Sequence, residues 1–477
     1  MYSIFSTKEQ RLLLKGRWGV ERELQRVTKV GELALTPHPA IFGDKLGNKE
    51  ITTDFSESQM ELITPPLPTV EEVSRYLTLL HEKAAKAVGK EYLWPLSMPP
   101  KLPEEELIPI AKFEDTKEGQ EAYLYRQGLA NRYGRKMQMI SGIHFNFSFG
   151  DELLELLEQE VGEGKSSSEF KDETYFSVAR NFLRFRWLLI YLYGASPSFD
   201  DTYGAVMKKE MRKVRQCCPE CCSDDKEYAT SLRVSRYGYS NSTQIKNNIY
   251  YNSKEEYIRK IRALMAKRSR KYADIGVQLN DKILQKDSEF YSSIRLKQIV
   301  EPGESQIEAL EKRGVKYAEV RILDVNPFER NGISLEQMYF LQIFMLFCLF
   351  AGNRQMDERE LKMGNQNHHM VALSGRKSKL MLEQPTGGRI SLELWGEELF
   401  HQLSRIAELL DQAVGSSNYS SCVRKEQEKL YNRALLPSFR IVQEMKSNKE
   451  SFLEYGMGLA AKYKSEEGMG AEDDKGI

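Results

Sequence analysis

The most regular alternation of apolar and polar residues in the chain spans residues 142–149. Every second residue there is Ile or Phe, and polar residues or glycine fill the positions between them. Successive side chains of a strand point to opposite faces, so this pattern predicts a β-strand with one face in the core. The other face carries His144, Asn146 and Ser148, a polar row that is able to line a pocket.

Apolar residues spaced three and four apart predict a second set of elements, which dominate the chain after about residue 330. Thr69 and Ser253 are N-cap candidates, and Gly194 and Gly352 end two of the helices. Because strands and helices are interleaved before residue 330, we expect an α+β fold. The predicted helices are 70–88, 173–193, 253–268, 335–351, 392–414 and 423–446.

Four segments follow neither period. Residues 151–168 predict a short helix at a Leu-rich start and then a loop, and 212–226 carry a cysteine cluster. Residues 375–389 are basic with a glycine pair, and 465–477 predict a disordered tail.

Composition and charge argue against some classes of function but do not identify the function. The 477 residues include 24 Tyr, 21 Phe and 4 Trp, enough aromatic surface for a sizeable core. Lys+Arg and Asp+Glu are both 69, and this balance gives no support for a role on nucleic acid or on a membrane surface. The most apolar window, 339–351, is shorter than the ~20 residues that span a bilayer, so it predicts a buried core helix.

The start of the chain has no long apolar segment, so we expect a cytoplasmic protein with mostly reduced thiols. Four of the six cysteines lie in 217–222. Adjacent cysteines reach a tetrahedral zinc geometry poorly, so we interpret the cluster as a mobile loop with reactive thiols.

Carboxylates recur on predicted strand faces. Glu21 and Glu23 share one face of the strand 20–27, where they repel each other unless the face is solvated or holds a cation. In 51–65, Asp54 follows two threonines and favours a turn or a helix cap, and Glu61 lies between two apolar residues of a short strand. An exposed charged face remains the simpler interpretation of the first motif alone.

The run 317–328 alternates in the same way and places Glu319 and Arg321 on the same face. This pair is either an intra-strand ion pair worth ~0–1 kcal/mol when exposed, or a metal-binding carboxylate beside an arginine that neutralises a transferring phosphoryl group. Arg233 is a candidate for bidentate binding of a substrate carboxylate. The segment 288–297 adds further polar side chains, namely Glu289, Tyr291, Arg295 and Lys297.

No Walker A loop, dinucleotide fingerprint, zinc-protease motif or nucleophile elbow is present in the sequence. The residues alone therefore indicate a divalent-metal site that handles phosphate, without naming a reaction.

Several long runs closely resemble glutamate–cysteine ligases of the proteobacterial type, and above all the ligase module that begins bifunctional glutathione-synthesising enzymes. The runs are ITTDFSESQMELITPP, LWPLSMPP, YRQGLANRYG, MQMISGIHFNFSF, YATSLRVSRYGYSNSTQ and YAEVRILDVNPF, in the family's order.

The resemblance implies a fold similar to the catalytic part of glutamine synthetase, with a curved, mostly antiparallel sheet that cradles the site and helices outside. It also implies ATP-dependent ligation of the L-glutamate γ-carboxylate to the amino group of L-cysteine through γ-glutamyl phosphate. The expected cofactor is Mg²⁺, with Mn²⁺ as an alternative, and ATP is a co-substrate.

The resemblance further implies residue roles. The residues that match metal ligands are Glu21, Glu23, Asp54, Glu61, His144 and Glu319. We expect Glu21, His144 and Glu319 around the nucleotide metal, and Glu23, Asp54 and Glu61 nearer the glutamate. Arg321 matches the arginine that reaches the transferred phosphoryl group, and Arg233 matches a binder of a substrate carboxylate. The residues that match the acceptor cysteine pocket are Tyr125, Leu129, Gln138, Ile140, Tyr239 and Tyr291.

Nothing after Phe328 resembles the ATP-grasp domain of the bifunctional enzymes, so we expect no glutathione synthetase activity. The expected organisation is a single catalytic domain over 1–464, with a sheet-rich core over about 17–330 and a helical part over about 331–464. Two alternatives stay open: a ligase with another acceptor amine, and a non-catalytic regulatory homologue. The sequence does not predict the oligomeric state.

Overall fold

The computed structural model describes residues 9–162, 164–217, 226–238 and 249–473. Strands and helices are interleaved as the α+β prediction requires. The strands are β1 (Gly16–Val27), β2 (Ile51–Thr53), β3 (Gln59–Ile63), β4 (Tyr92–Leu93), β5 (Ile143–Phe149), β6 (Ile294–Lys297), β7 (Tyr317–Leu323), β8 (Met381–Glu383) and β9 (Arg389–Ser391).

Seven of the described strands form one open antiparallel sheet in the order β2-β3-β1-β5-β7-β6, with β4 paired to the end of β1. The long strand β1 therefore lies between β3 and β5, and β7 follows on the far side of β5. Strands β8 and β9 form a separate hairpin. This order makes neighbours of strands that are far apart in the chain.

Helices surround the sheet and form most of the chain after β7. They are α1 (Val70–Ala87), α2 (Lys117–Tyr133), α3 (Asp151–Val161), α4 (Ser167–Phe185), α5 (Trp187–Tyr193), α6 (Gly204–Cys217), α7 (Lys254–Ala266), α8 (Arg270–Ala273), α9 (Gln306–Arg313), α10 (Leu335–Phe350), α11 (Glu358–Ser374), α12 (Leu392–Val414), α13 (Asn418–Tyr431), α14 (Pro437–Asn448) and α15 (Phe452–Asp473).

One face of the sheet is apolar and forms the core. The Trp18 ring lies 5.9 Å from the ring of Phe145 and 6.3 Å from that of Phe147, between centroids. The predicted core helix is α10, whose residues from Gln337 to Cys348 are all buried and which packs against α4, α12 and α13. No helix in the described part of the chain is both long and apolar enough to cross a membrane.

Several helix predictions are confirmed. Helix α12 has the predicted bounds, and α1 and α10 each end one residue earlier than predicted. Thr69 caps α1 by accepting a hydrogen bond from the Glu72 backbone N–H, and Ser253 caps α7 in the same way. These caps supply acceptors for N–H groups that have no partner within the helix.

Two helix predictions were wrong in their extent. The predicted helix 173–193 is two helices: α4 begins earlier, at a Ser166–Glu169 capping box, and the regular α-helix is interrupted at Arg186, the residue between α4 and α5. The predicted helix 423–446 is also two, α13 and α14, with a break after Asn432. Pro437 begins α14, where its missing N–H costs nothing.

The segments without periodicity contain more structure than predicted. Helix α3 is the short helix predicted at the start of 151–168, but 375–389 contains β8 and the turn of a hairpin. Gly387 and Gly388 in that turn both have φ of 89°, a conformation that glycine adopts without strain. Helix α15 reaches Asp473, within the segment predicted as a disordered tail. Cys218–222 lie outside the described residues.

Candidate active site

The polar face of the sheet carries the predicted acidic residues in one row. Glu23 on β1 lies opposite Glu61 on β3, and Glu21 on β1 lies opposite His144 on β5. Asn146 on β5 lies opposite Glu319 on β7. Together with Asp54, which follows β2, the six predicted metal-binding residues all line a single cavity, as does Arg321.

His144 lies at the centre of this row. Its Nδ1 is 3.0 Å from Glu21 Oε2 and 3.4 Å from Glu319 Oε1, and its Nε2 is 3.7 Å from Glu23 Oε1. The pairing of β5 with β7 shifts register between Ile143 and Phe145, so the local irregularity falls at His144 itself. Such irregularities re-aim a side chain relative to its strand.

Neighbouring groups fix the carboxylates on β1. The backbone N–H of Gly142 donates to Glu23 Oε2 at 2.8 Å, and Asn146 Nδ2 donates to Glu21 Oε1 at 2.8 Å. The second contact also explains why a polar residue follows His144 on the same face of β5. Both carboxylates therefore keep one oxygen directed toward His144.

Burial and repulsion from neighbouring carboxylates raise the pKa of Glu61 and of Glu23. Burial, together with repulsion from Glu21, Asp54 and Glu23, holds the pKa of Glu61 well above its usual range. Burial likewise raises the pKa of Glu23, although His144 opposes the shift. A bound cation would reverse both effects, because it favours the ionised form.

The opposite side of the cavity is basic. Burial alone would raise the pKa of Glu319, but Arg321 and Lys297 outweigh it and hold that pKa well below its usual range. Arg321 Nη1 donates to Glu319 Oε1, and Lys297 Nζ lies 3.2 Å from Glu319 Oε2. Arg295, opposite Glu319 on β6, lines the same side. This concentration of positive charge is suited to phosphate oxygens.

Two groups of side chains have the spacing to hold a metal ion. In each group, one candidate ligand atom per residue lies within 4.8 Å of the others. The first group is Glu21, His144 and Glu319, and the second is Glu23, Glu61 and His144. The second group contains His144 where the sequence grouping had Asp54, which is exposed but close enough to raise the pKa of both carboxyls.

The donor set fits a hard divalent cation. Carboxylate oxygens dominate both groups, and oxygen ligands are those that Mg²⁺ and Mn²⁺ prefer. In addition, Asn146 Oδ1 is buried and accepts no hydrogen bond within the described part of the chain. A buried acceptor without a donor is costly unless a ligand or a water molecule satisfies it.

The predicted acceptor pocket adjoins the carboxylates. Tyr125 and Leu129 lie on α2, Gln138 lies in the 3₁₀ turn Lys136–Met139, and Ile140 follows that turn. These residues and Tyr291 line the same cavity as the row of predicted metal-binding residues. Burial, with the nearby Glu289 carboxylate, raises the pKa of Tyr125, so its phenol is neutral at physiological pH. Tyr239 lies outside the described residues.

Arg233 also lines the cavity. Its Nη2 donates to the backbone carbonyl of Arg321 at 3.0 Å, and its Nη1 lies 3.7 Å from Asp324 Oδ1. The carboxylate-binding candidate is therefore attached to the strand that carries Glu319 and Arg321.

The sequence predictions missed some residues of the cavity. Arg126 lines it beside Tyr125 and stacks on Phe113, with its Cζ 4.5 Å from the ring centroid. The only sequence signal for Arg126 is its position next to Tyr125, a predicted pocket residue, in the YRQ run. The sequence indicates Arg295 and Lys297 only as polar side chains, although their spacing of two residues places both on one face of β6.

Comparisons with known proteins match nearly the whole chain to one family. The family model described as "Glutamate-cysteine ligase" matches residues 1–371. A glutamate–cysteine ligase of Clostridium acetobutylicum is 49% identical over 472 residues, which cover 96% of this chain and 98% of that protein. The glutamate–cysteine ligase of Pseudomonas putida KT2440 is 40% identical, over 92% of this chain and 84% of that protein.

Two solved structures are also similar. The glutamate–cysteine ligase of Francisella tularensis in complex with AMP has a TM-score of 0.86 and 32% identity, over 95% of this chain and 89% of that chain. A bifunctional glutathione synthetase of Pasteurella multocida has a TM-score of 0.76 and 28% identity, over 96% of this chain and 54% of that chain. Sequence motifs, fold and comparisons thus lead to one conclusion: the chain belongs to the glutamate–cysteine ligase family.

Proposed function

We propose that this chain joins the γ-carboxylate of L-glutamate to the amino group of L-cysteine, with ATP as co-substrate, and so produces γ-glutamylcysteine, ADP and phosphate. The observation that carries the proposal is the arrangement around His144, with carboxylates within 3.0–3.7 Å of its two ring nitrogens. Arg321 lies at the edge of this group. Family membership supplies the two amino-acid substrates.

The reaction has two steps. An oxygen of the glutamate γ-carboxylate attacks the γ-phosphorus of ATP, the bond to the bridging oxygen breaks, and ADP leaves. The cysteine nitrogen then attacks the acyl carbon, phosphate leaves with the electrons of the C–O bond, and the nitrogen loses a proton. Activation is needed because a carboxylate is a poor electrophile, whereas an acyl phosphate is a good one.

The residues of the cavity divide this work. Arg321 and Lys297 neutralise charge on the transferred phosphoryl group. Arg233 holds a substrate carboxylate, and the pocket that includes Tyr125 and Tyr291 holds the acceptor amine. Fixing both substrates beside the phosphoryl group makes each displacement effectively intramolecular.

We propose Mg²⁺ as the resident cation, with Mn²⁺ as an alternative. Its ligands would be Glu21, His144 and Glu319 on one side, and Glu23 and Glu61, supported by Asp54, on the other. When bound, the cation offsets the negative charge of the triphosphate and of the carboxylates. We place the reaction in the cytoplasm, because ATP and reduced cysteine are both maintained there.

One assay tests the proposal. The purified full-length chain is incubated with ATP, Mg²⁺, L-glutamate and a panel of amines, and ADP release and product mass are followed. We expect ADP release that depends on both glutamate and cysteine, and a product with the mass of γ-glutamylcysteine. Omission of glutamate is the control for uncoupled ATP hydrolysis.

Two results would overturn the proposal in different ways. If another amine, but not cysteine, gives the corresponding γ-glutamyl product, the chemistry stands and the acceptor is wrong. If no amine supports glutamate-dependent ADP release from a folded sample that binds Mn²⁺, the chain is a non-catalytic homologue.

A further inference from the structure

We propose that Asp324 is a positioning residue: it holds the Arg233 guanidinium in the cavity and thereby sets the affinity for the carboxylate of an amino-acid substrate. The inference rests on the proposed function, because it assigns Arg233 to a substrate carboxylate. It adds a residue that lies behind the cavity and does not line it.

Asp324 is rigidly held. It directly follows β7, and the residue is 2% exposed. Asp324 Oδ2 accepts from the Ala195 backbone N–H at 2.8 Å and from Ser196 Oγ at 2.6 Å, and Oδ1 accepts from Ser231 Oγ at 3.0 Å. Three donors from two separate segments fix the carboxylate, so it can serve as an anchor.

The anchor acts on one end of Arg233. Arg233 Nη1 lies 3.7 Å from Asp324 Oδ1, and Nη2 donates to the Arg321 carbonyl at 3.0 Å. Arg233 Nη1 is itself buried and has no hydrogen-bond acceptor among the described residues. A buried N–H donor without an acceptor costs stability, so Nη1 is suited to donate a hydrogen bond to a ligand oxygen.

The backbone of Gly142 packs directly against the Arg233 guanidinium. A Cβ built on Gly142 would lie 1.8 Å from Arg233 Nη2 and 2.4 Å from Cζ. The guanidinium therefore packs on bare backbone, at the same residue whose N–H donates to Glu23. This contact makes the position of Arg233 depend on the backbone directly before β5, the strand that carries His144.

The consequence is pre-organisation. A guanidinium that is already fixed loses little conformational freedom when a carboxylate binds. The negative charge of Asp324 also partly compensates the buried positive charge of Arg233, which otherwise would attract water or another anion. Replacing that charge should weaken carboxylate binding without affecting the ATP side of the cavity.

The test compares Asp324→Asn with a matched control, Asp172→Asn. Asp172 is another buried aspartate, 6% exposed, which accepts from the Val315 backbone N–H at 2.7 Å and from Lys254 Nζ at 2.5 Å and does not line the cavity. We expect Asp324→Asn to raise KM for one amino-acid substrate, glutamate or cysteine, by roughly 10-fold. The substrate whose KM rises is the one whose carboxylate Arg233 holds. KM for ATP should be unchanged, and calorimetric Kd of the same amino acid should rise in parallel.

A milder variant guards against misfolding. Ser231→Ala removes one donor to Asp324 and keeps both charges, so we expect a smaller increase in the same KM. Arg233→Lys separates the two hypotheses. If it changes no amino-acid KM, the role of Arg233 in the proposed function is wrong. If it raises one KM while Asp324→Asn and Ser231→Ala match the Asp172→Asn control, the role of Asp324 is wrong and the proposed function stands.

Discussion

At the scale of single residues, the arrangement around His144 determines what the site can do. One imidazole faces Glu21 and Glu319 with Nδ1 and faces Glu23 with Nε2. Acidic side chains on one side and Arg321 with Lys297 on the other give the cavity a charge gradient along the sheet. A triphosphate with its cation is complementary to such a gradient, because each end of the cavity neutralises the opposite charge.

Glu319→Gln and Arg321→Ala should each lower kcat by about 100-fold or more, because each removes a charge from the reacting region. Circular dichroism should show an unchanged fold. The matched control is the ion pair Arg330–Glu82, which is 3.3 Å apart and does not line the cavity. Arg330→Ala and Glu82→Gln should leave kcat within about twofold. Wild-type turnover in both site variants would refute the assignment of Glu319 and Arg321.

At the scale of elements, the alternation of apolar and polar residues predicted the strands that carry the site, because the two faces of these strands differ strongly in polarity. On β5 and β7, apolar residues face the core and polar ones face the cavity. Helices α2 and α11 were missed for the opposite reason. Their buried faces include Gly128 and Arg132 in α2 and Asn367 and His368 in α11, so no continuous apolar stripe marks them.

Local sequence also could not predict which strands pair. Hydrogen bonding of β5 to both β1 and β7 is a tertiary result, and so is the register that brings Glu21 opposite His144. Two of the misjudged helix starts do have a local cause in the sequence: Pro437 marks the start of α14, and the capping box at Ser166 marks the start of α4.

Ser334→Ala should lower the free energy of unfolding by about 1 kcal/mol, because it removes the N-cap of the buried helix α10. Ser334 Oγ accepts from the Gln337 N–H at 3.1 Å, and Gln337 Oε1 accepts from the Ser334 N–H at 3.0 Å. Urea titration measures the change. In Ser420→Ala, where the backbone N–H rather than the hydroxyl is bonded to Asp411, we expect less than about 0.5 kcal/mol. Equal effects of the two variants would contradict the capping role.

At the scale of the whole molecule, buried histidines should make the fold sensitive to acid. Burial lowers the pKa of His38 to about 4 and that of His369 to about 3, and it holds the pKa of His368 well below its usual range. Between about pH 6.5 and pH 4, the unfolded chain therefore binds protons that the folded chain does not. The contribution of these neutral histidines to the free energy of unfolding is fully present above this window and is lost as the pH falls through it.

The measurement is the free energy of unfolding of the wild type and of His38→Phe at pH 7 and pH 5. Linkage predicts that His38 accounts for about 1 to 2 kcal/mol of the loss at pH 5. The wild type should therefore lose more stability than the variant between these pH values. An identical loss in both proteins would show that His38 titrates normally in the folded state.

The order of strands in the sheet has a consequence for biosynthesis. Glu21, Glu23 and Glu61 emerge early from the ribosome and His144 follows, but Glu319 and Arg321 come much later in the chain. Strand β7 inserts between β5 and β6, so a nascent chain that lacks it has five of the seven strands with a pairing partner, leaves β6 without one, and lacks Arg321. Folding of such long-range sheets waits for distant segments. A translating ribosome therefore carries a partial chain with clustered carboxylates but without Arg321, the residue that we propose neutralises the phosphoryl group transferred from ATP.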